Sequence, residues 1–176
     1  MIRRKTLLII CYILLLAGCA TTQRHLSREE WMQVRNRHYA NISPEQVLKA
    51  AEKLFILADN KDFKFSYNNN SLKAVRWASP FPVNIWYHWD IVAVPSGNGT
   101  DVNVSISTTA AGFGVPGGMT PHDSPDVINL FYSRLDYLLG KSTVWLSCND
   151  YKKKNPRSST LEALCLLAED SSPSHP

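Results

Sequence analysis

The chain has 176 residues, with 19 lysines and arginines against 15 aspartates and glutamates, a formal net charge of +4, and four cysteines. That length holds one domain around a single core, and no internal repeat points to an array. Three of the basic residues, Arg3, Arg4 and Lys5, stand at the very start, and the remainder is close to neutral at 16 basic against 15 acidic, so the charge does not mark a nucleic-acid binder.

Behind the basic start, Leu7 to Ala17 is an apolar run broken only by Cys11 and Tyr12. A basic stretch followed by a short apolar one has the order of an export signal. The run is about half of the roughly 20 residues that a transmembrane helix needs. It closes on Leu16, Ala17, Gly18 and Cys19, which resemble the lipobox of bacterial lipoproteins. The resemblance implies removal of residues 1–18 as a signal peptide and lipid attachment, palmitate included, at the thiol of Cys19. Several acyl chains would hold such a protein on a membrane more firmly than one could. Ala20, where an aspartate tends to mark inner-membrane retention, implies sorting to the outer membrane with the domain facing the periplasm. Export also removes nucleic acid as a partner. The resemblance covers only about the first 23 residues and implies nothing about the fold behind them.

Residues 19–41 read as the lipidated N-terminus and a polar tether. Ser27 and Glu30 form a capping-box pattern there, which predicts a short helix over about 28–38. The first strong element opens at Ser43, an N-cap, with Pro44 at the first helical position, Gln46 completing a box, and Ile42 and Val47 spaced for a hydrophobic staple. Val47, Leu48, Ala51, Leu54, Phe55 and Ala58 then recur at helical spacing, while Lys49, Glu52 and Lys53 take the other side. Phe63, Phe65 and Tyr67 alternate with polar residues at the strand period, and Asn68, Asn69 and Asn70 mark a turn. Further strands are predicted over about 72–78 and 83–94. Ser96, Gly97, Asn98 and Gly99 turn the latter into a strand where Val102, Val104 and Ile106 oppose Asn103, Ser105 and Ser107.

Residues 110–121, with four glycines and two prolines, read as a loop. A second helix opens at Ser124, Pro125 and Asp126 and carries Val127, Ile128, Phe131, Leu135, Leu138 and Leu139 on one stripe, with Gly140 as its left-handed cap. Thr143 to Cys148 reads as a short fifth strand, Ser159 and Glu162 cap a short C-terminal helix, and 170–176 is a frayed end. With Cys11 lost and Cys19 lipidated, Cys148 and Cys165 are the pair left for a disulfide in an oxidising compartment. The fold class is therefore α+β: a four- to five-stranded antiparallel sheet with two helices on one face and a short C-terminal helix, residues 42–169 forming a single domain.

The strand over 83–94 carries large groups on both faces: Ile85, Tyr87, Trp89 and Ile91 on one, Trp86, His88, Asp90, Val92 and Val94 on the other. Two readings stay open. Either Trp145 and Leu146 cover the second face, with His88 and Asp90 bonded to each other or to backbone, or that face is an exposed aromatic surface for a partner. The apolar loop likewise reads as a lid or as a partner-binding segment through Phe113, Val115 and Met119. The leading expectation is a lipid-anchored accessory or scaffold protein that binds another envelope protein without catalysis, cofactor or metal. The alternative is a periplasmic hydrolase or metal enzyme built on His88, Asp90 and His122.

Overall fold

The computed structural model describes residues 26–58, 63–78, 83–112, 115–121, 124–154 and 162–165. Helix α1 (Arg28–Arg35) and strand β1 (Asn36–Ala40) lead into α2 (Pro44–Ala58). Strands β2 (Phe63–Asn68), β3 (Ser71–Ala78), β4 (Val83–Ser96), β5 (Gly99–Gly112) and β6 (Val115–Pro121) follow. Helices α3 (Pro125–Leu138), α4 (Cys148–Lys154) and α5 (Glu162–Cys165) come last.

The local chemistry read from the sequence sets these elements. Ser43 and Gln46 bond reciprocally, side chain to backbone amide, at the start of α2, satisfying donors that a helix end leaves orphaned. After α3, the amide of Gly140 (φ +67°) donates to Tyr137 O and that of Lys141 to Asp136 O, which is the paired bonding of a Schellman cap. Ser124 stands at the N-cap of α3 with Pro125 behind it, yet its side chain makes no capping bond. Two-residue turns join β2 to β3, through Asn69 at φ +44°, and β4 to β5, through Gly97 at φ +57°. Both turn residues occupy the left-handed region these hairpins require.

The strands form one antiparallel sheet in the order β1-β5-β4-β3-β2, with β6 also pairing β5. The outer edge of β5 is shared: β1 covers Gly99 to Asn103 and β6 covers Ser107 to Gly112. The core lies on the inner face, where α2 and α3 cover Leu72, Tyr87, Trp89, Ile91, Val102, Val104 and Ile106. Trp89 is fully buried, with Phe55 of α2 at 5.2 Å and Phe131 of α3 at 5.6 Å between ring centroids. These three rings join the two layers, and offset or tilted aromatic pairs add to what their buried area contributes.

Three segments differ from the sequence reading. Within the segment read as the end of a tether, the helix expected over about 28–38 forms as α1, Arg28–Arg35, with the Ser27 and Glu30 capping box made, but Asn36–Ala40 leave it to form the edge strand β1. An edge strand joins its sheet through backbone bonds, so it carries little apolar pattern; Tyr39 is the one side chain of β1 that is buried. Residues 110–121, read as a loop, instead extend β5 and return as β6, with a register shift between Ala110 and Gly112. Thr143 to Cys148 is not a strand. Trp145 packs against α3, edge-on to Tyr137 at 5.5 Å and beneath Arg134 at 4.8 Å, and Cys148 opens α4. Residues that suit a pleated, half-buried surface suit a helix flank equally well, because β-propensity mostly reports packing.

Cys148 and Cys165 are joined by a disulfide, with Cα atoms 5.9 Å apart. Cys19, Phe113, His122, Ser159 and the segment 170–176 lie outside the described residues.

Candidate functional site

Side chains alternate across a strand, so the register that buries Tyr87, Trp89, Ile91 and Ala93 of β4 turns Trp86, His88, Asp90, Val92 and Val94 outward. Directly paired residues share a face. Trp77 of β3 pairs with Trp86, Trp86 with Thr109 of β5, and Thr109 with Met119 of β6. One row of side chains therefore crosses four strands, a span of about 14 Å at the usual strand spacing of about 4.8 Å. Its ends stand out from the sheet, Trp77 being 50% and Met119 66% exposed. The adjoining row is Val75, His88, Ser107 and Pro121. Neither row contains a lysine, arginine, aspartate or glutamate. Charge begins one row further along, where Lys73 lies 3.6 Å from Asp90.

The described helices pack on the opposite face. α1 contacts α3, α2 contacts β2, β3, β4 and α3, and α5 contacts α2 and α3. Trp145, a cover for Trp86 in one of the two readings, instead lies beneath the Arg134 guanidinium and edge-on to Tyr137 of α3. Leu146 packs against the core as well. Among the described residues, the aromatic row lies open.

Among the described residues, His88 and Asp90 have separate partners. His88 Nε2 is 3.0 Å from Thr109 Oγ1, while Asp90 faces Lys73, so the two are not bonded to each other. They stand two residues apart on one strand, which separates their Cα atoms by about 7 Å. His122 lies outside the described residues, as does Phe113. Val115 opens β6 opposite Gly112, and Met119 closes the aromatic row. Among the described residues, no group of three or more His, Cys, Asp or Glu side chains is placed to hold a metal ion. Trp77 was missed in the sequence because its partner Trp86 lies across a connection whose length does not set the register. The alternation of Lys73, Val75 and Trp77 was the available signal.

Two other places combine polar groups with shape. Where β1 meets α3, Arg37 Nη1 is 2.6 Å from Asp136 Oδ2, the Tyr39 hydroxyl donates to Asp136 Oδ1 at 2.8 Å, and the Arg37 guanidinium lies over the Tyr132 ring. Burial, then the Asp136 carboxylate, raises the Tyr39 hydroxyl well above the usual phenol range. These bonds fasten the edge strand to the helix layer. Beside the first turn of α2 lies an open groove of about 700 Å³ lined by Leu48, Lys49, Glu52, Tyr67, Asn69 and Asn70. The Tyr67 hydroxyl donates to Glu52 Oε2 at 2.6 Å there. Partial burial, reinforced by that carboxylate, pushes Tyr67 up to about 12.

No family model matches the chain, and neither do any curated protein or solved structure.

Proposed function

We propose that the chain is a lipid-anchored accessory or scaffold protein of the bacterial cell envelope that binds another envelope protein and catalyses no reaction. The observation that carries this reading is the outward-facing row of Trp77, Trp86, Thr109 and Met119, in which two neighbouring tryptophans and a methionine flank one threonine and the two ends are exposed. Scattered exposed apolar residues are ordinary, but a clustered patch marks an interaction site. Tryptophans supply large contact area with few torsions to immobilise, which is why they concentrate at binding hot spots. The neutral rows around the patch match a partner surface that is itself apolar at its centre. The lipobox-like Leu16, Ala17, Gly18 and Cys19 support placement at a membrane, and Ala20 supports the outer one with the domain in the periplasm. The separation of His88 from Asp90 favours docking over the alternative of a hydrolase or metal enzyme using these groups with His122.

The test is cross-linking in intact cells followed by mass spectrometry, comparing the wild type with Trp77→Ala/Trp86→Ala and with Met119→Ser. The double variant is expected to lose its cross-linked partner by at least tenfold while keeping its melting temperature, because both side chains face away from the core. An unchanged cross-linking pattern in all variants would sink the reading.

A further inference from the structure

We propose that Cys148 is an arginine-activated thiol and that the Cys148–Cys165 pair is a redox switch, not a catalyst, with Cys148 the first attacking thiolate in oxidation and the first leaving thiolate in reduction. The carrying feature is Arg134. It lies on α3 and is 3% exposed, so its guanidinium sits inside the protein. Nη2 donates to Cys148 Sγ at 3.1 Å, Nε to Leu146 O at 3.1 Å and Nη1 to Leu164 O at 3.2 Å. The Trp145 ring closes one face of the guanidinium at 4.8 Å.

That arrangement does two things. A buried cation in contact with one sulfur favours that sulfur as a thiolate, because a charge pair out of water interacts more strongly than one in it. The same guanidinium also grips both arms of the loop, through the residue two before Cys148 and the residue just before Cys165. The arms therefore stay in register when the bond between the sulfurs is broken, and exchange needs no large rearrangement. Both cysteines are half-buried and not enclosed in the core.

In oxidation, the Cys148 thiolate attacks one sulfur of an incoming disulfide, forming a mixed disulfide and expelling one thiolate. The Cys165 thiolate then attacks Cys148 Sγ, forming the internal bond and expelling the second thiolate. Two protein thiols are oxidised, and one external disulfide is reduced to two thiols. In reduction, one thiolate of an external dithiol attacks Cys165 Sγ, and the electron pair of the broken bond stays on Cys148 Sγ as a thiolate, whose charge the Arg134 guanidinium stabilises. The reagent's second thiolate then attacks the reagent sulfur of the mixed disulfide, closing the reagent's own disulfide and expelling Cys165 as a thiolate, so the protein disulfide is reduced to two thiols and the dithiol is oxidised. A thiol of lower pKa is the faster leaving group, which gives the pair this direction.

The experiment is alkylation of the dithiothreitol-reduced full chain with iodoacetamide across pH 5–10, read by mass spectrometry of the two cysteine peptides. Cys148 is expected to titrate at least one unit below the ordinary thiol value of about 8.5, with Cys165 close to that value. Arg134→Lys should keep part of the displacement, and Arg134→Gln should abolish it. A purely packing role for Arg134 would not move this pH profile. Cys148 and Cys165 titrating together near 8.5 in the wild-type chain would overturn the proposal without reliance on any variant. So would a Cys148 midpoint in well-folded Arg134→Gln equal to that of the wild type.

Discussion

Gly99→Ala is expected to be among the most damaging single-methyl additions the chain can receive. Gly99 begins β5 and pairs with Ala40. A Cβ built on it would overlap Tyr39 O and lie 2.9 Å from Ala40 Cα, far inside the separation of roughly 3.5 Å at which heavy atoms attract. The neighbour is backbone, so a side-chain rotation offers no escape and β1 must retreat. Overpacking of this kind costs about 1–3 kcal/mol. Retreat also strains the bond from the buried Thr100 hydroxyl to Ile42 O at 2.6 Å, and leaving such a donor unpaired costs about 1–3 kcal/mol more. A total of about 2–6 kcal/mol lowers the melting temperature by roughly 4–24 °C for a domain of this size. The comparison is Gly97→Asn, two residues away. Gly97 has a positive φ of 57° and open space around its Cβ position, and asparagine tolerates that conformation. Calorimetry of both variants decides the matter. If Gly99→Ala melts within about 2 °C of the wild type, or no lower than Gly97→Asn, then β1 is not seated on β5 as described and the argument fails.

Removing the disulfide by Cys148→Ser/Cys165→Ser releases a loop of 17 residues' separation. The chain-entropy estimate then predicts a loss of about 3 kcal/mol in urea denaturation. Tyr67 gives a pH signature. Its folded value, raised by burial first and by Glu52 second, exceeds its unfolded value, so the stability it contributes is intact below about 10 and is lost as pH rises through about 12. Glu52→Gln should move the Tyr67 ultraviolet titration downward but leave it above about 10, because burial, the larger cause, remains. A titration unmoved by the substitution would show that the bond at 2.6 Å is not made in solution.

Much of this architecture is legible in the residues themselves because its causes are local. Ser43 with Gln46 and Pro44 sets the start of α2, Gly140 sets the end of α3, and the alternation of Val102, Val104 and Ile106 sets which face of β5 is buried. Pairing of Cys148 with Cys165 follows from counting cysteines once a lipobox-like start accounts for the others. The same local reasoning places Trp86, His88 and Asp90 on one face of β4.

What only the tertiary structure decided are the features whose causes lie far away in sequence. β1 has almost no apolar pattern and exists because the edge of β5 offers backbone partners, with Asp136 nearly a hundred residues on to hold Arg37 and Tyr39. β6 is rich in glycine and proline and is a strand for the same reason. Trp145, which the sequence could place over Trp86, lies on α3 because the Arg134 guanidinium provides a flat cation to stack on. That choice leaves the row from Trp77 to Met119 open. Spacing along the chain reports what a residue does to its near neighbours, whereas the open face and the buried arginine arise from where packing brings distant segments together.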